Sequence, residues 1–376
     1  MFRLLWSSDH HTFHQTTPTG HVLNNLTVFL RKDHDLGKVD MVTFGGDFFE
    51  RMVELPHTDT HVVFDWAKTF LAYAYKANPH ITIVWLAGTS SHDWEQPRHF
   101  LNLAPEGMDV RYIDTLSIVT YEHLDGLTVM YVPDNMGALT PDEIWERAVQ
   151  VLNEAGLEQV DQIHFHGAFE FQLLPKLRHK CHNLERWESI TKYCILAGHI
   201  HTPVQKGKLY TSGSFDRTKH GEEHPKGGYC IDFDLKTEYF EANFWENKGA
   251  LPYLTMNVDS EITADDLITD IHAFIKKRNL PRHSHIRVMG GSAMVVNPVI
   301  SMLSKEYPQF TLKAQNEKNE DEILEEALFS TATYNGVSLT KASLPDSVFE
   351  APSVKEELAK HNIDPAAARA ILEEFL

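Results

Sequence analysis

Short apolar runs alternate along the chain with longer, polar, helix-compatible segments. Phe2 to Ser7, Asp40 to Phe44, Ile81 to Ala87, Leu127 to Val132, Gln162 to Phe165 and Tyr193 to Ala197 are brief and rich in Val, Ile and aromatic residues. Runs of that length and composition read as buried strands. Between them, His61 to Tyr75 and Pro141 to Ala155 read as helices, the second with Thr140 as N-cap, Pro141 at its first position and acids in its first turn. The alternation predicts an α/β layered fold. From Lys206 to Trp245 the rhythm changes to closely spaced strands with Gly turns, in KLYTSGS, GGYCIDFDL and EYFEANFW, expected to complete a second sheet packed on the first.

The segment NKGALP, Asn247 to Pro252, marks a boundary, and a fresh strand-helix-strand unit follows it: YLTMNV, then Ala264 to Arg278, then HIRVMGG. The expected organisation is a main domain over 1–250, a small α/β domain over 251–315, and a linker with a helical C-terminal segment over 316–376. In that last segment Leu358, Ile363, Ala367, Ile371, Leu372 and Phe375 recur at helical spacing. An apolar face of this kind, too small to fold alone, calls for a partner.

Composition narrows the class. Apolar residues make up 42% of the chain, enough for a sizeable core, and no apolar run is long enough to cross a bilayer. The opening MFRLLWSSDHH lacks a small-residue cleavage site and reads as a core strand. Three cysteines, Cys181, Cys194 and Cys230, without C-x-x-C spacing argue against a disulfide framework and for a reducing, cytoplasmic setting. The formal charge of −19 works against binding a polyanion. Much of the acid lies late, from Glu317 to Glu326 and in the tail, while Lys206, Lys208, Arg217, Lys219 and Lys226 crowd near the chemical motifs. The 23 histidines are more informative, because neutral imidazole is the commonest ligand for transition metals.

Carboxylates and imidazoles recur where the strands end. Asp9 and His11 follow the first as D-x-H, a spacing that points both side chains one way if the strand continues. Asp47 stands in FGGDFFE, His92 and Asp93 in GTSSHD, His164 and His166 in IHFHG, and His199 and His201 in AGHIH. Taken singly, a Gly-Asp is a turn, His92 a surface histidine and His164 a satisfied core histidine. In order, they suit a dinuclear metal site: Asp47 as a bridging carboxylate, imidazoles and Asp9 around it, and a non-ligand histidine, His92, as the acid that protonates a leaving alkoxide.

With those motifs in order, the chain resembles the calcineurin-like metallophosphoesterase superfamily, whose pattern runs D-x-H, G-D, G-N-H-D/E, H and G-H-x-H. Within it the sequence is most similar to the SbcD-type DNA repair exonucleases and their phage relatives, through YTSGSFDRTKHGEE, GGYCIDFD and LPYLTMNV, the last opening a unit like that family's DNA capping domain. The resemblance implies one metal held by Asp9, His11, Asp47 and His201. The other would be held by Asp47, His199 and His166, with His164 in reserve. His92 and Asp93 would be catalytic. It further implies manganese, one or two ions with magnesium as the alternative, DNA as substrate, a homodimer, and an SbcC-like ATPase partner bound through the tail. Two positions depart from the pattern. Ser91 stands where the asparagine ligand precedes the acid histidine, with two residues inserted after Gly88, and Glu50 replaces an aspartate. Alternative functions are a phosphoesterase for a nucleotide or phosphoprotein, and a DNA-binding subunit with a degraded metal site.

Overall fold

The computed structural model describes residues 1–53, 57–134, 139–174 and 179–315, together with two short strands, Thr333–Tyr334 and Val337–Ser338. In chain order the first half comprises β1 (Phe2–Ser7), α1 (Thr19–Thr27), β2 (Met41–Phe44), α2 (Thr58–Ala77), β3 (Thr82–Leu86), α3 (Ser90–Asp93), β4 (Asp109–Ile113), β5 (Ser117–Tyr121), β6 (Leu127–Val132) and α4 (Pro141–Glu154). Then come β7 (Val160–His166), α5 (Leu184–Ser189), β8 (Thr191–Gly198), β9 (Val204–Lys206), β10 (Leu209–Thr211), β11 (Gly227–Asp234) and β12 (Tyr239–Glu246). A last stretch adds β13 (Tyr253–Asn257), α6 (Ala264–Arg278), β14 (His285–Met289), α7 (Ala293–Glu306) and β15 (Thr311–Gln315).

Two six-stranded sheets carry the main architecture, ordered β12-β11-β1-β2-β3-β4 and β5-β6-β7-β8-β10-β9. β1, β2, β3 and the edge strand β4 run parallel, as do β6, β7, β8 and β10, while β11, β12, β5 and β9 are antiparallel to their neighbours. Burial on both faces of the inner strands β1, β2, β3, β6, β7 and β8 explains why their sequences are continuous apolar runs. Alternate residues enter different cores. Leu5, Phe44 and Trp85 pack under α1 and α2 with Val22, Val63 and Phe70, whereas Leu4, Trp6, Val84 and Leu86 meet Val129, Tyr131 and Leu196 between the sheets. On the far side, Ile163, Phe165 and Ile195 pack against Ala148 of α4 and Trp187 of α5. The layering is therefore helix, sheet, sheet, helix.

The helices start where their caps dictate. On α4 the Thr140 hydroxyl accepts from Glu143 N and the Glu143 carboxylate returns a bond to Thr140 N, a complete capping box. The α2 helix buries Val63, Ala67, Phe70, Leu71 and Ala74, a three-and-four spacing. The unit after Pro252 forms a three-stranded sheet, β13-β14-β15, with its own core of Leu267, Ile271, Ile286, Val288, Val296 and Leu303. It contains one more helix and strand than the sequence suggests. Tyr253 OH reaches the hydroxyls of Thr16 and Thr17 at 2.7 and 3.2 Å, tying this sheet to the segment after Asp9 and His11. Met1–Ala314 forms one compact unit. The helical C-terminal segment expected around Leu358 to Phe375 lies outside the described residues. Among the described residues no helix is long and apolar enough to cross a membrane.

Trp6 is fully buried between the sheets, its ring 5.3 Å from that of His164. Trp6→Ala is expected to lower the unfolding free energy by about 3–5 kcal/mol, the range for deleting a large buried side chain. Urea unfolding followed by far-UV dichroism checks it; a loss below about 1 kcal/mol would mean that the layer collapses around the hole.

Candidate metal centre

Parallel strands deliver functional side chains at their carboxyl ends, and here both sheets deliver theirs to one place. Asp9 and His11 follow β1, Asp47 follows β2, His92 lies on α3 after β3, His166 ends β7, and His199 and His201 follow β8. Backbone bonds stitch the loops together: Gly45 N to Ser7 O at 2.8 Å, Asp9 N to Gly46 O at 3.0 Å and His11 N to Asp47 O at 3.1 Å. Across the two sheets, both oxygens of the Asp9 carboxylate accept from His199 N at 3.0 Å.

The spacing of Asp9 and His11 suggests a continuing strand, but β1 ends at Ser7 and both residues take left-handed backbone, φ 53° and 47°. Asp47 and His199 do likewise, at φ 50° and 89°. Each such conformation costs a non-glycine residue about 1–2 kcal/mol, and strain of this kind gathers at functional sites. Close approach also dictates two glycines. A Cβ on Gly46, itself at φ 94°, would lie 2.2 Å from His166 Nδ1, and one on Gly88 would lie 2.2 Å from Asp47 N.

Two trios gather the ligands of the sequence pattern, Asp9 with His11 and His201, and Asp47 with His166 and His199, each offering ligand atoms within 4.8 Å of one another; a third group, His11 with Glu50 and His92, meets the same distance and shares His11 with the first. The sequence pattern has Asp47 serving both groups. It stands in the second trio, with His11 and His92 near enough to act on its charge. His164 is not in either trio; it points between the sheets toward Trp6 and Tyr131, and burial pushes its imidazole down to about 3.

Hydrogen bonding decides what these rings can hold. His201 Nδ1 donates to Glu222 Oε1 at 2.7 Å, and His11 Nδ1 lies 2.7 Å from Glu50 Oε2. With both Nδ1 atoms turned to carboxylates, the two Nε2 atoms face each other at 3.0 Å. Two lone pairs cannot share that gap; a proton or a cation must sit between them. In the second trio His166 Nδ1 donates to Gly45 O at 2.7 Å, so its buried Nε2 faces Asp47 Oδ2 at 3.3 Å without a hydrogen-bond partner. Rings fixed through one nitrogen by carboxylate or carbonyl, with the other aimed inward, are the arrangement of metal-ligating histidines. The donor set of imidazoles and carboxylates suits a divalent metal ion.

Without a cation, protons take up the charge. Burial alone would lower His11 and His166, but Glu50 for the first and Asp47 for the second outweigh it and push them up to about 9 and about 10. For Asp47, burial works upward and is overcome by His166, which holds the carboxyl well below the usual range.

Around the trios, His92 Nδ1 donates to Glu50 O at 2.8 Å, which leaves Nε2 free on a ring set edge-on to His11 at 5.2 Å. Asp93, paired with His92 in the sequence reading, faces elsewhere. Its buried carboxylate accepts from Asp47 N, Phe49 N and Gly88 N at 3.1, 3.0 and 2.9 Å, and so positions the Asp47 loop. Ser91 lies within α3, its carbonyl accepting from Trp94 Nε1 at 2.8 Å. Thr89 stands at the second trio, its N donating to Asp47 Oδ1 at 2.6 Å and its hydroxyl 3.3 Å from Asp47 Oδ2 and 3.4 Å from His199 Nδ1.

Other participants are absent from the motif reading. Glu222 is one. Asp134, just past β6, has its carboxyl raised by burial, with His199 and His166 working against it; a strand-end acid is the available signal. The basic cluster near the motifs is largely turned inward. Lys226 is fully buried against Glu222, Arg217 donates to the carbonyls of Glu222, His224 and Ala250, and Lys208 reaches Glu188 O and Thr191 O. Lys206 and Lys219 remain exposed.

No protein-family profile matches the chain, and no curated protein matches it. Among solved structures, the glutamine-dependent NAD+ synthetase from Acinetobacter baumannii in complex with adenosine diphosphate aligns at 10% identity over 96% of this chain and 73% of that one, with a TM-score of 0.29. A likeness that loose carries no argument about fold or chemistry.

Two outcomes are expected. Cation uptake must displace the protons of His11 and His166, so apparent manganese affinity should rise with pH, flattening above about 9 at the trio of His11 and above about 10 at that of His166, with net proton release at pH ~7.5. Calorimetry in buffers of differing ionisation enthalpy counts those protons, and a count of zero there would sink the ligand assignment. Thr89→Asn should tighten the second ion by presenting an amide oxygen beside His199, whereas Ser91→Asn should change nothing. The reverse ranking in manganese titrations would contradict the placement of Thr89.

Proposed function

We propose that this protein is a metal-dependent phosphoesterase that hydrolyses phosphodiester bonds in DNA, with manganese as its ion and magnesium as the alternative. The observation that carries the reading is the 3.0 Å approach of the His11 and His201 Nε2 atoms beside Asp9, with Asp47, His166 and His199 forming a second such group. The chemistry supplied by a pair of divalent cations is Lewis acidity toward a phosphoryl oxygen and acidification of water to a pKa of about 7. Asp9, His11 and His201 would hold one ion; His166 and His199 would hold the other, with Asp47 shared if the ions lie close enough. His92, tethered through Nδ1 to Glu50 O, would offer its Nε2 proton to the leaving alkoxide.

DNA is favoured over a nucleotide or phosphoprotein by the small α/β unit after Pro252, tied to the segment that carries Asp9 and His11. Burial pushes the imidazole of His220 down to about 4, helped by Arg287, His285 and Lys313 from the strands of that unit. Cations there suit a phosphate backbone. On this reading the protein is an SbcD-type nuclease subunit, a homodimer that works with an SbcC-like ATPase. A second reading, a DNA-binding subunit with one weakened ion, draws on Ser91 in place of the asparagine that the resemblance implies, and on Thr89, a hydroxyl, beside Asp47 and His199.

Plasmid DNA, a short oligonucleotide and chromogenic mono- and diesters, each with and without manganese, separate these readings. His92→Ala should lower turnover by about 10²- to 10⁴-fold while leaving manganese content intact. A variant that loses its metal, or one that turns over at the parental rate, would remove His92 from the acid's role. Manganese-independent or absent hydrolysis of every diester would reject the phosphodiesterase reading.

A further inference from the structure

His201 is held at two points by a pair of buried, oppositely charged residues that the ligand pattern does not include. Glu222 is 4% exposed and Lys226 fully buried. Glu222 Oε1 accepts from His201 Nδ1 at 2.7 Å, and its Oε2 accepts from Thr218 N at 3.0 Å and meets Lys226 Nζ at 3.1 Å. Lys226 Nζ then donates to the His201 carbonyl at 2.9 Å and to Ser214 Oγ at 2.7 Å. One end of the pair thus fixes the imidazole ring and the other fixes the backbone of the same residue.

Burying two charges is expensive, and a well-packed apolar pair is often as stable or more so, so stability alone gives little reason for the arrangement. Its geometric effect is specific. A carboxylate can only accept, so Glu222 forces the proton of His201 onto Nδ1 and leaves the Nε2 lone pair directed at Asp9 and His11. Lys226 in turn holds the carboxylate in that orientation, because it and Thr218 N occupy the other oxygen. We propose that Glu222 and Lys226 are positioning residues for a metal ligand: they lock His201 in the tautomer that binds, and so set the affinity of the Asp9–His11–His201 ion without touching it. The proposal rests on the metal reading given above.

An isosteric change tests the tautomer logic. In Glu222→Gln the amide oxygen is drawn to the two donors, Lys226 Nζ and Thr218 N, which turns the NH2 toward His201 Nδ1. That nitrogen must then accept, the proton moves to Nε2, and the ring presents N–H where it presented a lone pair. Metal-free full-length protein is titrated with Mn²⁺ and followed by calorimetry and electron paramagnetic resonance. Glu222→Gln should weaken the ion that depends on His201 by about 10- to 100-fold, the usual loss for a partner of a metal-bound histidine. The ion that depends on His166 should bind as before, a split that general loosening of the fold would not produce.

The paired replacement Glu222→Met with Lys226→Met removes both buried charges together, so it covers the case in which the glutamine variant does not fold. It should give the same selective loss. His201→Ala identifies which binding event belongs to this trio. If either folded variant binds that ion with the parental affinity, or weakens both ions equally, the clamp is overturned. If instead the parental protein and His201→Ala bind Mn²⁺ identically, the metal reading itself fails at this trio.

Discussion

The hydrogen bonds from His199 N to both oxygens of Asp9 join the carboxyl end of β8 in one sheet to that of β1 in the other. A carboxylate at 0% exposure needs such donors, since a buried polar group without hydrogen bonds is costly. The two ends are thereby held in one relation, and other features follow from it. Gly198 must lack a side chain, because a Cβ there would lie 2.5 Å from Gly45 O. Gly45 O is in turn the acceptor that fixes the His166 tautomer. Removing the Asp9 carboxylate would therefore disturb the second trio as well as the first, through backbone.

Left-handed backbone at Asp9, His11, Asp47 and His199 adds about 1–2 kcal/mol of strain at each position. What offsets it is local: Asp93 accepts from the backbone of Asp47, Phe49 and Gly88, and the loop of Gly45 to Asp47 bonds to that of Ser7 to His11. Asp93 carries this load at a price in its own ionisation, for burial and the neighbouring Asp47 push its carboxyl up to about 6. Two acids side by side in a dry loop divide the work, one fixing the backbone and the other presented to the ring of His166.

What was legible in the sequence follows from the range of the interactions involved. The buried parallel strands declare themselves by continuous apolar runs, and their ends locate Asp9, Asp47, His166 and His199. β4 and β5 escape that reading because they lie beside the more exposed margins of the sheets, half-buried and interrupted by polar residues. A local spacing argument brings Ser91 to the site beside His92; α3 winds through Ser90 and Ser91, and it is Thr89 that faces Asp47. Glu222 meets His201 across a separation of 21 residues, and nothing periodic announces it. The same holds for Lys226 and Arg217, which read as a basic surface until their internal acceptors are seen.

That inward turn changes how a chain of formal charge −19 would meet a polyanion. Long-range attraction comes from exposed positive charge, and each phosphate neutralised by Lys or Arg steepens the salt dependence of binding. With Arg217 and Lys226 engaged inside, Lys206 and Lys219 are what the cluster near the motifs leaves exposed, joined by Lys313 of β15. On the proposed reading, much of the attraction for the scissile phosphate must then come from ions in the two trios, at short range and in a site shielded from bulk salt. Charge carried in this way acts only on a phosphate that has already reached the strand ends. The exposed protein cations would guide the flanking backbone, and the trios would hold the bond to be cut.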